Sequence, residues 1–220
     1  METQIIKINK ENLDSIEMDE AGKLIAAGEL VAFPTETVYG LGGDALDPEA
    51  AHKIYAAKGR PSDNPLIVHI AEYEDMYRVG RNIPPQAKLL ADAFWPGPLT
   101  MIVEKSDNVP YATTGGMDTV AVRMPNHPVA LALIRRSGCL IAAPSANTSG
   151  RPSPSKASHV AEDLSGKIAM IIDGGEVSIG IESTIIDLTE KTPMVLRPGY
   201  ITPKMLSDVL GEEVIIDPGI

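Results

Sequence analysis

The stretch Ala56–Ile70, AAKGRPSDNPLIVHI, constrains the fold of this chain more than any other. It opens as the end of a helix and closes as a short apolar strand. Between the two lie Lys58, Arg60, Ser62, Asp63 and Asn64, hinged by Gly59, Pro61 and Pro65. Prolines set φ and reduce the entropy lost when a loop is ordered. Lysine brings a compact point charge and arginine a planar donor fork. Two cations one residue apart on such a loop suit a phosphate or a carboxylate. They equally suit a solvated helix end, where cations meet the negative pole of the helix.

The hydrophobic pattern places elements on both sides of this stretch. Gln4–Asn9 alternates like a strand, Asp19–Ala27 reads as an amphipathic helix stopped by Gly28, and Leu30–Pro34 as a buried strand. Thr35–Asp44 contains three glycines and reads as a loop. Asp47-Pro48-Glu49 supplies an N-cap, a proline at the first helical position and a first-turn acid for a helix running to about Ala57. Strands are predicted over Leu66–Ile70, Leu99–Glu104, Thr119–Met124, Leu140–Ala143, Ala169–Asp173, Thr184–Leu188 and Met194–Leu196, with a short extended piece at Val214–Ile216. Helices are predicted over Pro85–Phe94 and Pro128–Ser137, from a Ser155 cap to near Gly166, and from Thr202-Pro203 onward. The order is mixed without strict alternation, which implies an α/β fold with an open, twisted mixed sheet and flanking helices.

A chain of 220 residues can bury roughly 70% of its unfolded surface and is expected to form a single domain over residues 1–220. The formal charge of −11 argues against stable binding of a long nucleic-acid backbone. The start, METQIIKINKENL, has no apolar signal core, and no run of about 18 apolar residues occurs, so a soluble, cytoplasmic protein with no membrane contact is expected. Cys139 is the only cysteine and lies in the apolar GCLIAAP, which reads as core; no thiolate metal cage is available. The four histidines are too scattered for a metal site.

Polar residues without a structural excuse gather at strand ends: Thr35, Glu36 and Thr37, then Ser145 and Asn147, then Glu182, Ser183 and Thr184. Loops at one edge of an α/β sheet are where ligands sit. Arg123 falls inside the apolar strand TVAVRM, where an unpaired guanidinium would be very costly. It must meet either a carboxylate or an anionic ligand, and Arg197 closes MVLRPG in the same way. No GxxxxGK, no GxGxxG after a strand, and no Ser–His–Asp spacing is present.

KGRPSDNPLIVHI and SAN together resemble the Lys-x-Arg and Ser-x-Asn pair of the YrdC-domain family, the threonylcarbamoyl-AMP synthases. PTETVYGLGGDA, FWPGPLT, TVAVRMPNHP, APSANTSGRPSP and STIIDLT resemble that family in the same order, from about Leu30 to Arg197. The resemblance implies a YrdC-like sheet with a concave, positively charged active-site face. It also implies a nucleotidyltransferase that makes L-threonylcarbamoyl-AMP from L-threonine, bicarbonate or CO2, and ATP, releasing pyrophosphate. The product would pass to a tRNA threonylcarbamoyl-transfer complex. Carried over by position, Lys58 and Arg60 would be catalytic. Those two, with Asn64, Thr119, Ser145, Asn147, Ser153 and Arg197, would bind ATP. Thr35, His69, Arg123, Ala143 and Ser183 would bind threonine. Mg2+ would enter with the nucleotide, without a dedicated protein cage. The family's long form carries a further C-terminal domain, and VLRPGYIT resembles that form, so the chain is expected to be either a short member or the catalytic part of a longer protein.

Such chemistry needs no enzyme nucleophile. It needs converging cations and amide donors to bring a carboxylate, a carbamate and a triphosphate together. The competing functional class is a double-stranded RNA or tRNA-binding module without nucleotidyl transfer. Low aromatic content, 4%, and the acidic total weigh against it.

Overall fold

Alternation inside the apolar strands decides how this sheet is packed. The computed structural model describes residues 1–220. In β2 (Val31–Pro34), Val31 and Phe33 join one apolar cluster and Ala32 the other. In β9 (Met170–Asp173), Met170 and Ile172 face the first cluster and Ile171 the second. Successive side chains on a strand point to opposite faces, so both faces of this part of the sheet are covered. Helices α1 (Ile16–Ala26) and α6 (Pro128–Ser137) pack together against the smaller cluster, and the larger one continues under the rest of the molecule.

The remaining strands are β1 (Gln4–Lys7), β3 (Tyr39–Asp44), β4 (Ile67–His69), β5 (Gly80–Arg81), β6 (Leu99–Lys105), β7 (Thr119–Arg123), β8 (Ile141–Ala142), β10 (Thr184–Asp187), β11 (Met194–Arg197) and β12 (Ile215–Ile216). Across the sheet the order is β1-β9-β2-β3-β8-β4-β7-β6-β10-β11-β12, with β5 beyond β10 on the same edge of β6. Parallel and antiparallel neighbours are mixed, as the irregular element order predicts. The other helices are α2 (Pro48–Lys58), α3 (Met76–Val79), α4 (Pro85–Phe94), α5 (Tyr111–Thr114), α7 (Ala157–Leu164) and α8 (Pro203–Leu210). None is long and apolar enough to cross a membrane.

Several helix ends follow from their caps. Asp47 accepts from Glu49 N–H at 2.9 Å with Pro48 at the first helical position, as the sequence predicts. Thr202 does the same for α8 through Met205 N–H. α1 starts before the expected Asp19 because Ser15 accepts from Met18 N–H. α7 starts at Ala157, after the expected Ser155 cap, and its capping position, Lys156, makes no side-chain cap bond.

The main correction concerns Thr35–Asp44. Its second half is strand β3, between β2 and β8, and not loop. The glycines that read as turn residues are there for packing. A Cβ on Gly42 would lie 2.7 Å from Phe33 Cε1 and 2.8 Å from Ile141 Cγ2. The short elements α3, β5 and α5 carry too few residues to show a period and were not expected from the pattern.

Candidate active site

The central strands leave one stretch of sheet face open, and it forms the floor of a cleft of about 340 Å³. Register places Ile67 beside Ala121, His69 beside Arg123, and Ala121 beside Ile102. Val68, Val120 and Val122 alternate with these residues and point into the core instead. Loops close the walls: Thr35, Thr37 and Val38 after β2, Arg60, Asn64 and Pro65 after α2, Pro144 and Ser145 after β8, and Glu182 and Ser183 before β10.

Three arginines converge on this cleft, and their charges act on one another. Arg123 is 3% exposed and is the buried guanidinium that the sequence required to find a partner. It pairs with Glu36, donates from Nη1 to Thr37 Oγ1 at 2.9 Å, and from Nε to Gly97 O at 3.2 Å. Glu36 Oε2 also accepts from Asn126 N–H at 2.7 Å, so both its oxygens are satisfied. Three of the guanidinium's five N–H groups are engaged, which leaves two for a ligand.

Arg197 reaches the cleft through an irregularity. In β11, Val195 opposes Ile186 and Arg197 opposes Ile185, so the register slips by one residue between them. Strict alternation would put Arg197 on the core face with Val195; the bulge turns it to the cleft face. It donates from Nη1 to Glu182 Oε2 at 2.7 Å, from Nε to Ser183 O at 2.9 Å and from Nη2 to Ser183 Oγ at 3.1 Å.

Arg60 differs from both. Gly59 ends α2 in the left-handed conformation, φ 64°, and turns the chain so that Arg60 can reach the cleft. Its guanidinium donates to Asn64 O at 3.3 Å and Pro65 O at 2.8 Å. No carboxylate pairs with it, so its charge is available to an anion. Lys58, two residues earlier, has a different fate. It is 2% exposed, does not line the cleft, and donates to Ser145 O and, at 2.8 Å, to Asn147 O. Burial, aided by the Arg60 charge, lowers its pKa to about 8.

Of the residues expected to bind ATP, the structure brings Arg60, Asn64, Ser145 and Arg197 to the cleft wall. Ser153 donates to Glu182 Oε1 at 2.9 Å and stands behind that wall. Asn147 is buried, and its amide donates to Thr148 O at 2.9 Å and Arg151 O at 2.8 Å, bracing the loop. Thr119 starts β7 on the face that carries Ala121 and Arg123, outside the cleft itself. All five residues expected to bind threonine line the cleft. The Thr35 hydroxyl is already used locally, donating to Val38 O at 2.7 Å. Ser183 Oγ shares a 2.7 Å hydrogen bond with Thr100 Oγ1. His69 bonds Ile67 O through Nδ1 at 3.1 Å, and burial together with the Arg123 charge holds its pKa down at about 3. No group of three or more His, Cys, Asp or Glu side chains forms a metal cage.

Sequence reasoning left the roles of Glu36 and Glu182 open and did not single out Ile67, Ile102, Ala121 or Ile185 as cleft floor. The first two needed partners that lie 87 and 15 residues away. The last four read as ordinary strand residues, since no local pattern says which face of a strand a helix will leave open.

The Sua5/YciO/YrdC family model, which carries the description "Telomere recombination", matches residues 23–199. The chain belongs to this family. A threonylcarbamoyl-AMP synthase of Pyrococcus abyssi is 56% identical over 210 residues, covering 96% of this chain and 62% of that protein. One from Bacillus subtilis is 54% identical over 202 residues, covering 91% of this chain and 58% of that protein. The chain thus spans about 60% of the length of these relatives. The crystal structure of P. abyssi Sua5 complexed with L-threonine matches with a TM-score of 0.93 and 55% identity, over 97% of this chain and 62% of that one. The Escherichia coli YciO structure shares the fold, TM-score 0.81 at 23% identity.

Proposed function

We propose that this chain synthesises L-threonylcarbamoyl-AMP from L-threonine, bicarbonate or CO2, and ATP, with release of pyrophosphate. One observation carries this reading: Arg60, Arg123 and Arg197 converge on a single cleft over an open sheet face. Support for the identity of the ligands comes from the P. abyssi relative solved with L-threonine and from the relatives named as synthases of this product. The double-stranded RNA alternative has no comparable support.

The threonine amine adds to CO2 and loses a proton, giving a carbamate. A carbamate oxygen then attacks the α-phosphorus of ATP, the bond to the β-phosphate oxygen breaks, and pyrophosphate leaves with the electron pair. Each partner is anionic, so the protein's task is to hold like charges within reach of one another. Arg123, fixed by Glu36 and Thr37, offers its two remaining N–H groups to the threonine carboxylate. Ser183, Thr35 and the Ala143 backbone line the same end. His69 stays neutral at physiological pH and adds no charge there. Arg60 and Arg197 face the phosphates, with Asn64 and Ser145 beside them. Lys58, Asn147 and Ser153 act from behind by holding the loops, and Thr119 borders the nucleotide end. Mg2+ entering with the nucleotide would supply further charge neutralisation beside Arg60 and Arg197, as suits a cation that usually takes few protein ligands. The product would be consumed by a transfer step onto tRNA adenosine.

Incubation with ATP, Mg2+ and bicarbonate should release pyrophosphate only when threonine is added, with serine a poor substitute. A missing methyl group is worth only about 1–3 kcal/mol of discrimination. Pyrophosphate release that is independent of threonine or of bicarbonate would overturn the assignment.

A further inference from the structure

Glu182 is the only carboxylate that lines the cleft. Its side chain is 36% exposed, and its two oxygens are held from different parts of the chain, the loop before α7 and the end of β11. Oε1 accepts from Ser153 Oγ at 2.9 Å, and Oε2 from Arg197 Nη1 at 2.7 Å. Its charge is also felt by Arg60, so one carboxylate acts on both arginines of the proposed phosphate end, and it is felt by the buried Lys58 behind them. A carboxylate at that position is paradoxical for binding, because it repels the anion the cations attract. Glu36, the other glutamate bonded to an arginine of the site, shows the contrast. It is 6% exposed with both oxygens satisfied, and it does not line the cleft.

We propose that Glu182 is a positioning residue and the standing counter-ion of the phosphate end, fixing Arg197 and Ser153 while its charge limits how tightly pyrophosphate-class anions are held. The inference rests on the reading of this cleft as an ATP site. Its chemical sense follows from the reaction. A pocket that binds triphosphate and leaving pyrophosphate equally well gains nothing in turnover from extra uniform affinity and retains its product. A fixed negative charge weakens both and leaves Arg197 aligned. The geometry of the contact supports the first half of the role, since Arg197 is held on both sides, by Glu182 and by the Ser183 carbonyl.

The test is isothermal titration of the folded chain with pyrophosphate and with ATP, in Mg2+-free buffer and again with Mg2+ added, comparing wild type with Glu182→Gln and Glu182→Asp. Gln keeps the shape and an acceptor for Arg197 but loses the charge. It should bind pyrophosphate about tenfold tighter, as expected when a like charge a few ångströms away is removed at a surface-like dielectric. It should also make pyrophosphate a stronger product inhibitor by a similar factor. Asp keeps the charge and should bind no tighter than wild type. A purely structural residue would only weaken binding and lower Tm when changed. Equal or weaker binding by Glu182→Gln at an unchanged Tm overturns the proposal, as does tighter binding by both variants. If Glu182 ligated the divalent cation instead, Gln would weaken binding only when Mg2+ is present, which also overturns it. Should the Gln variant not fold, Glu182→Ala against Glu182→Asp decides the question by the same charge comparison. A wild-type chain that binds neither ATP nor pyrophosphate removes the ATP-site reading and this one together; a wild type that binds both, with no tightening in Gln, removes this one alone.

Discussion

Lys58 and Arg60 are separated by one glycine and act in opposite ways. The Gly59 turn leaves the Lys58 ammonium buried against two carbonyls and brings the Arg60 fork to the cleft wall. Arg60→Ala is therefore expected to lower kcat by roughly 10²–10³, the usual cost of losing a donor aimed at developing charge. Tm should barely move, because the side chain bonds only two loop carbonyls. Arg60→Lys should recover part of the rate, since an ammonium keeps the charge and loses the planar fork. A variant Arg60→Ala retaining more than about a tenth of the wild-type kcat would remove the phosphate role. Lys58→Met is expected to behave differently. It leaves Ser145 O and Asn147 O without their donor in a buried place, at about 1–3 kcal/mol for each unsatisfied group. Urea midpoints should fall along with activity. Unchanged stability with lost ATP binding would mean that the ammonium leaves its carbonyls for the phosphates.

At the level of elements, β3 explains why a glycine-rich segment becomes a strand. Gly42 faces Phe33 of β2 and Ile141 of β8, and the space between those side chains holds no methyl group. Gly42→Ala should cost about 1–3 kcal/mol, the range for overpacking a filled core, measured by chemical denaturation. An unchanged midpoint would show that Phe33 or Ile141 can move aside without loss. β3 matters for function because Thr35, Thr37 and Val38 enter the cleft from the turn that joins it to β2. The segment between β9 and β10 leans on the same turn, with Ile179 N–H bonded to Glu36 O at 2.9 Å and Gly180 N–H to Thr37 O at 2.9 Å. A shift in β3 would therefore reach both walls of the cleft.

For the whole molecule, the charge of −11 coexists with a cleft lined by three arginines and one glutamate. Acid residues dominate the total while cations concentrate where ligands enter. The buried histidine ties global stability to pH. Burial and the Arg123 charge hold the pKa of folded His69 down at about 3, against the ordinary 6.5. Between those values the unfolded chain binds one more proton than the folded one. Stability from this group is thus fully present above about pH 6.5 and is lost as pH falls toward 3, by up to about 1.4 kcal/mol per pH unit. Denaturation midpoints of wild type and His69→Gln, taken at intervals from pH 7 to pH 4, should converge as pH falls. Parallel curves would mean that His69 protonates in the folded state near its ordinary value.

Local patterns in the sequence determined much of the architecture, because caps and alternation act within a few residues. Asp47 and Thr202 announced their helices, and the apolar runs announced strands such as β4, directly after Lys58–Pro65. The sequence also required Arg123 to find a partner, since no strand buries a lone guanidinium cheaply. Only the tertiary structure named that partner as Glu36 and recruited Lys58 to the carbonyls of a loop 87 residues away. It alone turned Arg197 onto the cleft face, through a one-residue slip against β10. It also converted a run of glycines into a central strand. Each of these depends on what another part of the chain places opposite, and pairing across the sheet has no signature within the segment it acts on.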